Sequence, residues 1–116
     1  MEKNNTIFGL LKDIQPVTTA HNQGRKYVFL SNTDTVSPIT QFAYGKLEAG
    51  EACEEHMHPT MEECFFFLSG AGNYIIGETK YSVEAGSFFR IPAGISHKLE
   101  AITCIEFIYF GVATLH

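Results

Sequence analysis

Cysteine is scarce in this chain. The three present, Cys53, Cys64 and Cys104, are odd in number and form no paired Cys-x-x-Cys pattern. That excludes a disulfide framework and leaves free thiols as the expectation. Basic residues are also few: 8 Lys and Arg stand against 13 Asp and Glu, for a net charge of −5. No Lys/Arg cluster exists to supply an electrostatic footprint, so nucleic acid is excluded as a partner. The longest strongly apolar run, Phe65 to Leu68, is far short of the ~20 residues that span a bilayer. The first residues, MEKNN, lack the apolar region of a signal peptide, so no membrane partner and a cytoplasmic location are expected. No long segment repeats its apolar residues with the 3.6 period of a helix, and there is no linker, internal repeat or low-complexity stretch.

What is present suits a folded domain. Hydrophobic residues make up 45% of the chain and aromatics 13%, enough for a core and too many for disorder. A length of 116 residues fits one domain, taken as 1–116. Glycine turns at Gly70, Gly77, Gly86 and Gly94 separate short strand-like segments. These are Glu63 to Leu68, Asn73 to Ile76, Lys80 to Val83, Ser87 to Ile91, a strand opening at His97, and Cys104 to Phe110. Tyr27 to Leu30 and Ile39 to Glu48 read as strands too, with turn chemistry in Ser31 to Pro38. Thr6 to Leu11 suits a short helix or a strand equally, because Gly9 weakens either. Short strands with regular turn signals indicate an all-β sandwich or barrel.

Chemistry concentrates in Gly50 to Gly70. His56 and His58 stand one residue apart, and alternate strand residues share a face. Two imidazoles would then enter one space about 6–7 Å apart along the backbone. Pro59 and Thr60 can turn the chain and bring a carboxylate back toward them. Six acids fall between Glu48 and Glu63 with no Lys or Arg among them, which describes a solvated face and also favours a bound cation. Imidazole plus carboxylate is a ligand set for divalent first-row metals. A second stretch, Gly86 to His97, uses Pro92 and Gly94 to shape a tight turn that presents His97. A jelly roll would fold His97 toward His56 and His58, giving three imidazoles and one carboxylate.

These two stretches resemble the two cupin motifs. Gly50, His56, His58, Glu63 and Gly70 match G-x5-H-x-H-x4-E-x6-G over residues 50–70. Gly86, Pro92, Gly94 and His97 match G-x5-P-x-G-x2-H over 86–97, with 15 residues between the motifs. The second motif commonly ends on Asn; here Ala101 stands in that place, and that Asn is not a metal ligand in the family. The resemblance covers residues 50–101. It implies a small cupin-type jelly roll, commonly dimeric, with a metal inside the barrel held by His56, His58, Glu63 and His97. Iron, manganese, zinc and nickel are all open as the divalent ion. Adjacent strand residues face opposite sides, so one of Glu62 and Glu63 points inward, and the spacing to Gly70 selects Glu63. A bulge would reverse that parity in favour of Glu62.

The remaining candidates carry ordinary readings beside functional ones. His21 and His116 read as plain core or surface histidines. Sulfur ligation by Cys53 or Met57 would break the alternation set by the histidines. Phe65, Phe66 and Phe67 suit core and subunit contact better than a substrate platform. Arg90 is an exposed strand position before it is a clamp for a carboxylate or phosphate. Tyr44, Tyr74, Tyr81 and Tyr109 divide between pocket and core in a way that sequence does not decide. Two functions follow. One is a metal-dependent enzyme on a small organic molecule, dioxygenase- or isomerase-like. The other is a small-molecule or sugar-binding module with a structural or vestigial metal. Metal-free sugar-nucleotide epimerases of the wider group are a third possibility, disfavoured by the complete ligand set. A homodimer is expected.

Overall fold

The computed structural model describes residues 7–18 and 23–114. His21 and His116, and the first residue of the Thr6 to Leu11 stretch, lie outside them. After a single 3-10 turn at Leu11–Asp13, ten strands follow. They are β1 (Val17–Thr18), β2 (Arg25–Ser31), β3 (Ile39–Leu47), β4 (Ala52–His56) and β5 (Met61–Ser69). Then come β6 (Gly72–Ile76), β7 (Thr79–Val83), β8 (Phe88–Ile91), β9 (His97–Ala101) and β10 (Ile105–Ala113). Every pairing is antiparallel. The strands form a six-stranded sheet, β1-β2-β3-β10-β5-β8, and a four-stranded sheet, β4-β9-β6-β7. This is the all-β jelly-roll sandwich expected. Among the described residues no helix is long and apolar enough to cross a membrane.

Alternation builds the core. In β5, Glu63, Phe65 and Phe67 are buried, while Phe66 and Leu68 face outward. In β10, Ile105 and Phe107 are buried, and in β9 so are His97, Leu99 and Ala101. The two inner faces interdigitate through Leu47, Phe67, Tyr74, Val83 and Ile91. Gly45 in β3 lets the ring of Phe107 in β10 come close against the backbone, since a Cβ there would collide with it. Gly70 turns β5 into β6 with φ of 93°, a left-handed conformation that glycine adopts without steric cost. The stretch expected as a short helix or a strand forms neither over its described residues: residues 7–10 are irregular, and Leu11 opens a single turn of 3-10 helix, Leu11–Asp13.

Candidate metal centre

The two sheets each contribute to one cluster. Glu63 comes from β5 in the six-stranded sheet. His97 opens β9 and His56 closes β4, side by side in the four-stranded sheet, where they are register partners. His58 lies just beyond β4, so the expectation of a continuous strand through His56 and His58 holds only as far as His56. A loop does the rest. The N–H of Gly94 donates to the carbonyl of His58 at 2.8 Å, which fastens the first motif to the turn of the second. Gly94 has φ of 84°, so the turn that makes this clamp favours glycine.

The donor atoms of His56, His58, Glu63 and His97 all lie within 4.8 Å of one another. His58 Nε2 is 3.5 Å from Glu63 Oε1, and His97 Nε2 is 3.4 Å from the same oxygen. The ring centroids of His56 and His97 are 4.2 Å apart. Two backbone carbonyls orient the rings. His56 Nδ1 sits 2.8 Å from the Glu54 carbonyl and His97 Nδ1 3.0 Å from the Ile95 carbonyl. A carbonyl only accepts, so each Nδ1 carries a proton, and the tautomer this selects for metal binding has its lone pair on Nε2. This is how metal-binding imidazoles are commonly held.

His97 Nε2 is buried and has no hydrogen-bond partner among the described residues. Its lone pair and the Glu63 carboxylate face each other across 3.4 Å, which is unfavourable unless a cation or a proton stands between them. Burial lowers the pKa of His58 below its ordinary value; the neighbouring His56 and His97 add to this, against the opposing pull of Glu63. A proton is therefore disfavoured at His58, and three nitrogens plus a carboxylate oxygen fit a divalent transition ion. The cluster suits such a metal site.

The other sequence candidates fall elsewhere. Glu62 points away and meets Arg90, with Nη1 to Oε2 at 3.4 Å on an exposed surface. Arg90 is thus on the outer face and not in the cluster. Met57 is exposed, and Phe65 and Phe67 are core while Phe66 is outside. Cys53 faces inward because a bulge between Cys53 and His56 adds a residue to β4. Burial first, and then the charge of Glu63, push its thiol up to about 11, so it is protonated at neutral pH. Tyr74 is buried and Tyr109 lines the cavity, Tyr44 contacts Glu106 on the outer face, and Tyr81 is exposed. The cluster opens into a cavity of about 350 Å³. Its wall includes Lys26 and Gln41, which sequence reading did not single out; no motif marks them, and only the pairing of β2 and β3 turns them inward.

A family model described as the cupin domain matches residues 43–108. The chain is a cupin. No curated protein sequence matches it. Several solved structures share the cupin's fold. A predicted oxalate decarboxylase from Thermotoga maritima is 21% identical, with a TM-score of 0.84 over 92% of this chain and 99% of its own. An ectoine synthase from P. lautus is 16% identical, with a TM-score of 0.80 over 95% of this chain and 80% of its own. The polyketide cyclase RemF from Streptomyces resistomycificus is 12% identical, with a TM-score of 0.78 over 95% and 80%. At these identities the likeness concerns the fold. Names so different on one scaffold mean that the fold does not select the chemistry.

Proposed function

We propose that this cupin is a metal-dependent enzyme acting on a small organic molecule, with the ion held by His56, His58, Glu63 and His97. One observation carries the reading: the buried, unpartnered Nε2 of His97 faces Glu63, which with His56 and His58 lines a cavity large enough for a metabolite. Four protein donors leave one or two coordination positions for water or substrate. When bound, the ion would supply Lewis-acid or redox chemistry at the cavity floor. The chain's own contribution is orientation and shelter. Glu54 and Ile95 fix the two rings, Gly94 fixes the loop carrying His58, and Phe65, Tyr74, Leu99 and Phe107 wall the cavity with apolar surface.

Untagged protein purified from its source is expected to contain about one first-row transition ion per chain. Turnover of a small organic molecule that stops on chelation and returns with the ion supports the enzyme. Oxygen uptake dependent on iron and substrate marks an oxygenase, and turnover without oxygen under zinc or manganese marks an isomerase-like reaction. Ligand binding without turnover under any ion replaces the enzyme with a binding module. Absence of metal, with a melting curve indifferent to chelator, removes the metal reading.

We also propose a homodimer across the outer face of the six-stranded sheet. Phe66 pairs there with Phe88 on one side and Ile108 on the other, and Leu68 and Phe110 extend the same apolar surface. Phe88 is 80% exposed, an exposure that a covering layer would relieve. A twofold-related copy is the commonest such layer. Light scattering at micromolar concentration is expected to give twice the chain mass of 12.9 kDa, and a single-chain mass overturns the dimer.

A further inference from the structure

Among the described residues that line the cavity, three are cations, Arg25, Lys26 and Lys46, and Glu63 is the one carboxylate, in a chain whose net charge is −5. Lys46 is already paired with Glu48 at 3.6 Å, and Arg25 is exposed at the rim. Lys26 differs from both. In the register of β2 and β3 it lies opposite Gly45, which pairs in turn with the inward-facing Phe107 of β10. It is partly buried, and its Nζ donates to Gln41 Oε1 at 3.3 Å. Unlike Lys46, Arg90 and Lys98, it has no carboxylate partner among the described residues. An ammonium has three donors, and an amide oxygen occupies one. Because the Gln41 oxygen is the acceptor, its NH2 group is left to donate. A cation and an amide donor are therefore presented together.

Their position relative to the cluster follows from the ladder. Glu63 in β5 pairs with Gly111 in β10, and Gly111 pairs with Gln41 in β3. Two strand spacings put the backbones of Glu63 and Gln41 about 10 Å apart. Both side chains reach into the same cavity, which leaves a gap suited to a molecule of a few carbon atoms. Tyr109 lines the cavity too; burial and the charge of Glu63 raise its phenol above the ordinary value, so it stays an O–H donor. Between the basic wall and the imidazole floor, the walls are apolar.

We propose that the cavity binds a small organic acid, whose carboxylate is held by Lys26 and Gln41 while an oxygen at its other end faces the His56, His58, Glu63 and His97 cluster. This rests on the metal reading above for the second contact only. With Arg25 exposed and Lys46 paired with Glu48, one partly buried lysine and one amide are left to bind, a set that suits a carboxylate better than a phosphate. Gln41 adds direction to a charge that would otherwise be a point.

Calorimetric titration of wild-type, Lys26→Met and Lys26→Arg proteins tests this. Each is loaded with manganese, and separately treated with chelator. The probes are succinate, glutarate, their uncharged diamides, and inorganic phosphate. The loaded wild type is expected to bind at least one diacid about tenfold more tightly than its diamide. Lys26→Met should lose about tenfold for that diacid, Lys26→Arg should keep most of the affinity, and metal stoichiometry should be the same in all three. Equal diacid binding by wild type and Lys26→Met overturns the proposal. So does failure of both diacids to saturate in the millimolar range, or tighter binding of phosphate than of either diacid. A wild type that takes up no metal overturns the metal reading instead. The Lys26 comparison is then decided on the chelated proteins by the same tenfold criterion.

Discussion

Alanine at His97 is expected to lower metal affinity by about 100-fold or more while the protein stays folded. Loss of a group that merely orients a ligand commonly costs about 10–100-fold, so loss of the ligand itself should cost at least as much. The same result is expected at His56 and His58. Folding should survive because the core is apolar and continuous without the cluster: Leu47, Phe67, Tyr74, Ile91, Leu99 and Ile105 are each no more than 2% exposed. His97→Ala removes packing volume, at about 2–5 kcal/mol, and the Nδ1 bond to the Ile95 carbonyl, offset in part because a buried nitrogen without a partner, a penalty of about 1–3 kcal/mol, goes with it. The metal-free variant should thus melt below the metal-free wild type but still fold cooperatively. Elemental analysis after equilibrium dialysis reads the affinity, and circular dichroism reads the fold. Wild-type affinity in His58→Ala would remove the ligand assignment.

The two adjacent glutamates provide an internal control. Glu63→Gln takes the charge from the cluster, where a carboxylate oxygen lies within 3.5 Å of two imidazole nitrogens. Glu62→Gln takes it from an exposed pair with Arg90, a contact worth about 0–1 kcal/mol. Metal affinity should fall in the first and be nearly unchanged in the second. The reverse order would mean that the bound state uses the other face of β5.

The contrast between these neighbours shows what sequence can carry. Parity within β5 is local, so the spacing from Glu63 to Gly70 sufficed to place one carboxylate inward and the other outward. The turn at Pro92 and Gly94 is local as well, and it brings His97 to the mouth of β9. Register between distant strands is a different matter. The bulge between Cys53 and His56 is set by pairing with β9, more than forty residues on, and it places both side chains on one face although they are three positions apart. The irregularity between Val28 and Leu30 is likewise set by β3. Lys26 therefore carried no legible signal: its inward position depends on which residue of β3 lies opposite. Arg90 is at the exposed strand position that the sequence favoured for it, and register supplies the reason: its partner Cys64 in β5 lies between the inward Glu63 and Phe65.

Acid is expected to empty the site, steeply, between about pH 7.5 and pH 5. Imidazole binds a metal only as the neutral base, with an ordinary pKa near ~6.5. Three imidazoles must be neutral together, so proton release on binding should exceed one, and metal affinity should fall by more than tenfold per pH unit at the acid end. Burial lowers the His58 pKa, which delays its own protonation as pH falls. The same shift acts on the metal-free protein. Between the lowered folded pKa and the ordinary unfolded one, the unfolded chain binds more protons, so His58 makes stability rise with pH in that window. Its contribution is complete above ~6.5 and is lost as pH falls through the window. Loaded protein loses this and, in addition, the stabilisation given by the free ion concentration relative to its dissociation constant. Melting curves with and without chelator should therefore lie apart at pH 7.5, approach one another as pH falls, and coincide near pH 5. Metal content measured across the same range should follow the separation between the curves. A separation that persists unchanged to pH 5 would mean that the ion is held by groups other than three imidazoles.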